Sequence, residues 1–143
     1  MGEKNEKLQP YLAPLYDSLE VLMDCNRSEA IAHMQMLEEQ GKFELEAISH
    51  IRGRSFQDTL IIIDEAENLD VSSLKTLLTR IGENCLIIVL SDDDQIDNLK
   101  LSAVSNGTAL MKDKLIGQPL YAYIELQSSV RSPLAELVTK LMK

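Results

Sequence analysis

Apolar side chains recur at helical spacing in four stretches of this chain and form short unbroken runs in two others, the two kinds of segment alternating in its later part. Leu12, Leu15, Leu19 and Leu22 follow Pro10 at intervals of three and four, which predicts a helix ending near Asp24-Cys25-Asn26. Ser28 is placed to cap a second helix carrying Ile31, Met34 and Leu37 and closed by Gly41, so residues 10–41 should form a helical hairpin. Phe43-Glu44-Leu45-Glu46-Ala47-Ile48 alternates and predicts a strand with one face exposed. Residues 59–63 and 85–90 are unbroken β-branched and leucine runs, the pattern of parallel strands buried on both faces. Between them Val71, Leu74, Leu77, Leu78 and Ile81 mark a helix that starts after Asn68 or Asp70 and stops at Gly82. Residues 98–118 leave two readings open, a helix around Ala103 or one ending at Asn106-Gly107. Tyr121 to Leu126 reads as a further strand, and Ser132 or Pro133 opens a last helix with Leu134, Leu137, Val138 and Leu141. Strands alternating with helices make the class α/β with a mainly parallel sheet.

Both buried runs end in acids. Ile63 is followed by Asp64-Glu65, and Leu90 by Ser91 and then Asp92-Asp93-Asp94-Gln95, while Arg131 comes shortly after the third expected strand. Right-handed crossovers between parallel strands bring their carboxyl ends to one sheet edge, where ligands of open α/β sheets collect. An acid to hold magnesium, a Glu or Gln to orient water and an arginine near the terminal phosphate together suit phosphoryl transfer. Taken singly, each has a plainer reading. Acids suit the positive end of a helix that follows a strand, three aspartates make a solvated loop, and an arginine makes a surface ion pair. A two-metal nuclease or phosphatase built on Asp64 and Asp92 is chemically conceivable, but Gln95 and Arg131 fit nucleotide sensing better.

Composition narrows the class. A chain of 143 residues with 45% hydrophobic content builds one sizeable core, so a single domain over 1–143 is expected. A net charge of −9 argues against a broad basic surface for nucleic acid, with His50, Arg52 and Arg54 the one local positive cluster. Aromatic content of 4% and the absence of Trp leave few platforms for stacking bases. Cys25 and Cys85 are far apart without CxxC spacing and read as reduced thiols of a cytoplasmic protein. The unbroken apolar run 85–90 is too short to cross a membrane, and the first residues, with Glu3, Lys4, Glu6 and Lys7, do not resemble a signal peptide. His33 and His50 lack metal-ligand spacing.

Several ordered motifs carry a family resemblance. Leu60 to Asn68 (LIIIDEAEN), Arg52-Gly53-Arg54-Ser55-Phe56 before it, Leu78-Thr79-Arg80-Ile81-Gly82 after it and Asp92-Asp93-Asp94-Gln95-Ile96-Asp97 together resemble PhoH-like proteins, from about Pro10 to the C-terminus. That family is similar in its nucleotidase core to superfamily 1 helicases. The resemblance implies a three-layer P-loop NTPase core of RecA or helicase type, with the helical hairpin 10–41 attached to an α/β core over 43–143. It implies ATP and magnesium as cofactors, ATP hydrolysis coupled to RNA or another single-stranded nucleic acid, and a cytoplasmic setting. Residue by residue, it makes Asp64 the magnesium-associated acid, Glu65 the general base for water, Gln95 the sensor of the γ-phosphate and Arg131 the arginine that contacts it, with Asp92 and Arg54 at the nucleotide. Two positions depart from the family: Ser91 stands where it usually has the Gly of GDxxQ, and Glu67 where it usually has Gln.

A larger departure is an absence. Walker A needs Gly-x-x-x-x-Gly-Lys and then Ser or Thr, so that backbone amides and one lysine cradle the phosphates. None of the six glycines has that spacing, and the one Gly-Lys pair, Gly41-Lys42, is followed by Phe43. The sequence therefore resembles the downstream portion of a family member, lacking the phosphate-loop strand and expected to be inactive alone. The alternative is a non-catalytic interaction module that keeps the fold and self-associates through sheet edges and faces left uncovered.

Overall fold

The computed structural model describes residues 2–51, 53–127 and 132–141, so Arg52 and Arg131 lie outside the described residues. Two compact units form, residues 1–59 with 76–85, and residues 60–75 with 86–143.

The first unit begins with helices α1 (Gly2–Met23) and α2 (Arg27–Glu39), which lie against each other. The turn between them uses Asp24 in the left-handed region (φ 49°). Asn26, rather than Ser28, caps α2: its side chain accepts from the Glu29 amide at 3.1 Å, and the Glu29 carboxylate accepts from the Asn26 amide at 3.0 Å. A reciprocal capping box satisfies two orphan amides at once, which a lone serine two residues later does not. Arg27 stitches α2 to α1 through Asp17 and Glu20 and lies 5.2 Å from the Tyr16 ring centre. Ala30 and Met34 are the buried face of α2.

The strand expected at Phe43–Ile48 does not form. Residues 43–47 have no regular structure and 48–50 make a single 3-10 turn. The acidic half of the alternation is used by a cation instead of lying beside a partner strand. Arg54 donates to both Glu44 carboxylate oxygens at 2.8 Å, approaches Glu46 at 3.2 Å and covers the Phe56 ring at 5.1 Å. Phe56 and Asp58 then bond the segment 80–83 in a short parallel fashion: the Phe56 amide to Arg80, the Gly82 amide back to Phe56 and the Asp58 amide to Glu83.

The second unit holds strands β1 (Leu60–Ile63) and β2 (Leu86–Val89), paired in parallel with Leu60 opposite Leu86 and Ile62 opposite Ile88. Helix α3 (Val71–Leu78) lies between them in sequence, capped by Asp70, whose carboxylate accepts from the Ser73 amide at 2.7 Å. The helix stops at Leu78, earlier than Gly82, because the Arg80 amide turns back to Leu77 and the chain enters the bridge to Phe56. Helix α4 (Gly107–Leu115) is opened, not closed, by Asn106-Gly107: the Asn106 side chain accepts from the Ala109 amide at 2.7 Å. Tyr121 to Leu126 is not a strand. Lys112 of α4 donates to the Tyr123 hydroxyl at 2.8 Å and sits over its ring, so that segment is held by side chains without a backbone ladder. Helix α5 (Pro133–Leu141) starts where expected, with Ser132 Oγ accepting from the Ala135 amide.

The class is thus α/β with a small parallel sheet. Ile63 faces the interior, but Leu60 and Ile62 are 57% and 59% exposed, and Leu86 and Ile88, their register partners on the same face, 63% and 40%. Parallel strands are ordinarily covered on both faces. Among the described residues no helix is long and apolar enough to cross a membrane.

Candidate functional site

The turn after β1 is built by its own sequence. Asp64 accepts from the Glu65 amide at 3.0 Å, Glu65 adopts the left-handed region (φ 53°, ψ 37°), and Ala66–Asn68 make one 3-10 turn. That conformation lets the Ala66 amide donate to Leu90 at 3.0 Å, just as the Leu90 amide donates to Ile63 at 2.8 Å. Backbone pairing therefore continues one step past both strands and sets the acids after β1 beside the acids after β2.

Side chains tighten this junction. Glu67 is 1% exposed, and its carboxylate accepts from the Asp92 amide at 3.0 Å and from Asn68 Nδ2 at 3.2 Å. Asn68 Oδ1 accepts from the amides of Asp97 and Asn98 at 2.8 and 3.1 Å. Asp92 in turn organises its own loop, one carboxylate oxygen taking the Asp94 amide and the other the Gln95 side-chain amide at 2.6 Å. Asn106, fully buried at the start of α4, receives the Thr108 hydroxyl at 2.9 Å and reaches Asp93 at 3.4 Å, while Ser91 and Thr108 share a hydroxyl contact at 3.2 Å. A buried polar group without partners is costly, and these have them.

Asp64, Glu65, Asp92 and Gln95 are accordingly gathered at one end of the two strands. Arg54 belongs to the first unit and is engaged by Glu44 and Glu46; Arg131 is outside the described residues. The carboxyl group of Glu65 is held above the ordinary glutamate range, first by its hydrogen bond with Glu67, then by partial desolvation and the charges of Glu67, Asp64 and Asp97. A base in this position binds its proton more readily than a free glutamate, which is the direction a water-activating residue needs. Among the described residues no three His, Cys, Asp or Glu side chains converge to hold a metal alone. Magnesium carried by a nucleotide needs only one or two carboxylates beside phosphate oxygens and water, and exposed Asp64 fits that more modest demand.

Glu67, Asn68, Asn106 and Thr108 are parts of the site that pattern reading missed as such. Glu67 was legible only as an acid in a motif, since a charged residue is by default exposed. Asn106 carries a usable signal, an Asn three residues before the amide it caps, but Asn-Gly marks helix ends as well as helix starts.

Comparison with known proteins places the chain in a family. The PhoH-like protein family matches residues 1–143. The chain is 40% identical over 141 residues to protein PhoH2 of Bacillus subtilis, covering 99% of this chain and 31% of that protein. It is 36% identical over 145 residues to protein PhoH2 of Mycolicibacterium smegmatis, again across 99% of this chain and 31% of the relative. A PhoH-like protein of Bacillus subtilis is 36% identical over 135 residues, 93% of this chain and 40% of that protein. The chain thus spans about a third of the length of the relatives it matches. With a family match over residues 1–143, the chain belongs to the PhoH-like protein family.

Proposed function

We propose that this chain supplies the water-activating and γ-phosphate-reading half of an ATP-hydrolysing, three-layer P-loop NTPase core of RecA or helicase type, acting on RNA or another single-stranded nucleic acid in the cytoplasm. The observation that carries the reading is the continuation of pairing past the strand ends, from Ala66 to Leu90, which sets Glu65 and the Asp92–Gln95 loop at one edge. In this reading Asp64 holds the magnesium of ATP, which neutralises phosphate charge when bound. Glu65 takes a proton from the attacking water. Gln95, released from Asp92, turns its amide to the γ-phosphate, and Arg131 adds positive charge at the transition state. Asp92 completes the nucleotide contacts of this unit. A phosphate-gripping Gly-x-x-x-x-Gly-Lys segment is required in addition.

The test is turnover of ATP with magnesium, by this chain alone and by the chain joined to such a segment. No turnover alone and turnover when joined is the expected pair of results. Asp64→Asn should weaken magnesium-dependent ATP binding by about tenfold or more, the loss of one charge-assisted contact. An inactive joined chain, or binding that ignores Asp64, would reject the reading.

A second reading, a self-associating module without nucleotide chemistry, is favoured by the bare face of Leu60, Ile62, Leu86 and Ile88. A second copy is an occupant of matching chemistry, since the face is apolar. Sedimentation should then show a concentration-dependent dimer that Ile62→Lys abolishes. A monomer at every concentration removes this reading.

A further inference from the structure

We propose that Glu67 and Asn68 are positioning residues that clamp the loop 92–98 at both ends and so set the place of Gln95 against the Asp64-Glu65 turn. The proposal rests on the nucleotide reading above for its catalytic meaning, and on geometry for its existence. Glu67 grips the first residue of the loop, at the Asp92 amide; Asn68 grips the last two, at the Asp97 and Asn98 amides. The Asn98 side chain closes the far end again by donating to the Asn68 carbonyl at 3.4 Å. Gln95 lies midway, its amide held within the loop by Asp92.

The donor and acceptor inventory leaves one consistent assignment. Asn68 Oδ1 already accepts two backbone amides, so its NH2 group faces Glu67 as a donor. Glu67 must then accept on both oxygens, from Asn68 and from Asp92, which a carboxylate does and a glutamine does not. The acid at position 67 is therefore matched to Asn68. Neither side chain needs to touch a nucleotide for this: each acts through the loop that it holds.

Amide hydrogen exchange on this chain, without nucleotide, reads the clamp directly. Asn68→Ala should speed exchange at Asp97 and Asn98 by about tenfold or more while leaving Leu90, which bonds Ile63, protected. Glu67→Gln should keep Asp92 protected and loosen Asp97 and Asn98, because the glutamine amide confronts the Asn68 amide and turns it. Unchanged exchange at Asp97 and Asn98 in both variants overturns the clamp. In the chain joined to a phosphate-gripping segment, Asn68→Ala should lower kcat with KM for ATP kept, and should add little to Gln95→Ala. Equal losses in the two backgrounds overturn the positioning role. A clamp that loosens as described in a joined chain that never hydrolyses ATP instead overturns the nucleotide reading, so the two failures are distinct.

Discussion

Glycine in place of Glu65 is expected to raise stability by about 1 kcal/mol and, on the function proposed above, to slow ATP turnover in the chain joined to a phosphate-gripping segment. Glu65 holds a left-handed backbone conformation (φ 53°, ψ 37°). For a residue with a Cβ that conformation costs about 1–2 kcal/mol. Glycine relieves it, and the greater freedom of the unfolded glycine chain takes back about 0.4–1 kcal/mol. The exposed carboxylate, crowded by Glu67, Asp64 and Asp97, is screened by water and adds only a small part. Glu65→Gln isolates that part. Because the folded state raises the pKa of Glu65, its contribution to stability is present below its ordinary value of 4.5 and is lost as pH rises through the raised value. The glutamine variant should therefore gain on the parent at neutral pH and lose that advantage in acid, in urea unfolding followed across the range. In the chain joined to a phosphate-gripping segment, either variant should lower kcat by about 10²–10⁴, the contribution of a positioned general base. A glycine variant that is less stable, or one that turns over ATP at the parental rate, contradicts this account.

A large loss of stability is expected from side chains placed at Gly107. A Cβ there would stand 2.9 Å from Leu74 Cβ, 3.0 Å from the Asp70 carbonyl and 3.1 Å from the Leu69 carbonyl, with the Gly107 amide already bonded to Leu69 at 2.8 Å. Two of the three obstacles are backbone, and Leu74 is buried, so nothing nearby is free to yield. Gly107→Ala should cost about 1–3 kcal/mol, and Gly107→Val more, since its branches add to the same collision. The damage should spread to the site, because Asn106 beside it holds both α4 and Asp93. Urea midpoints and the exchange of the loop amides should fall together. A valine variant of parental stability would mean that α4 does not dock here.

The parts legible in the sequence were those whose signal is local and repeated. The runs 60–63 and 86–89 and the stripe Leu74-Leu77 follow from spacing, Asp70 was one of two caps offered, and the acids after each strand follow from where the runs stop. Phe43–Ile48 misled because alternation states which side chains are polar, not what pairs with them, and Arg54 took the role a strand was expected to play. Asn106-Gly107 misled because the same two residues serve either end of a helix. Glu67 was hidden for a different reason. Its carboxylate is held by the Asp92 amide 25 residues away, and no local window along the chain contains that partner. Arg131 stays an expectation from resemblance, outside the described residues.

Distance along the chain also bears on the order of assembly. Glu67 reaches a partner 25 residues on, and Asn68 partners 29 and 30 residues on, whereas the capping box of α2 closes over three. Closing long loops costs entropy before any contact returns it, so the helical pair can form early and the acid-bearing junction comes late. What assembles last is also what opens at the smallest expenditure of free energy. The junction should then come apart while α1 and α2 stand, and a chain with a quiet helical signal can still have lost the pairing of its acid-bearing turns.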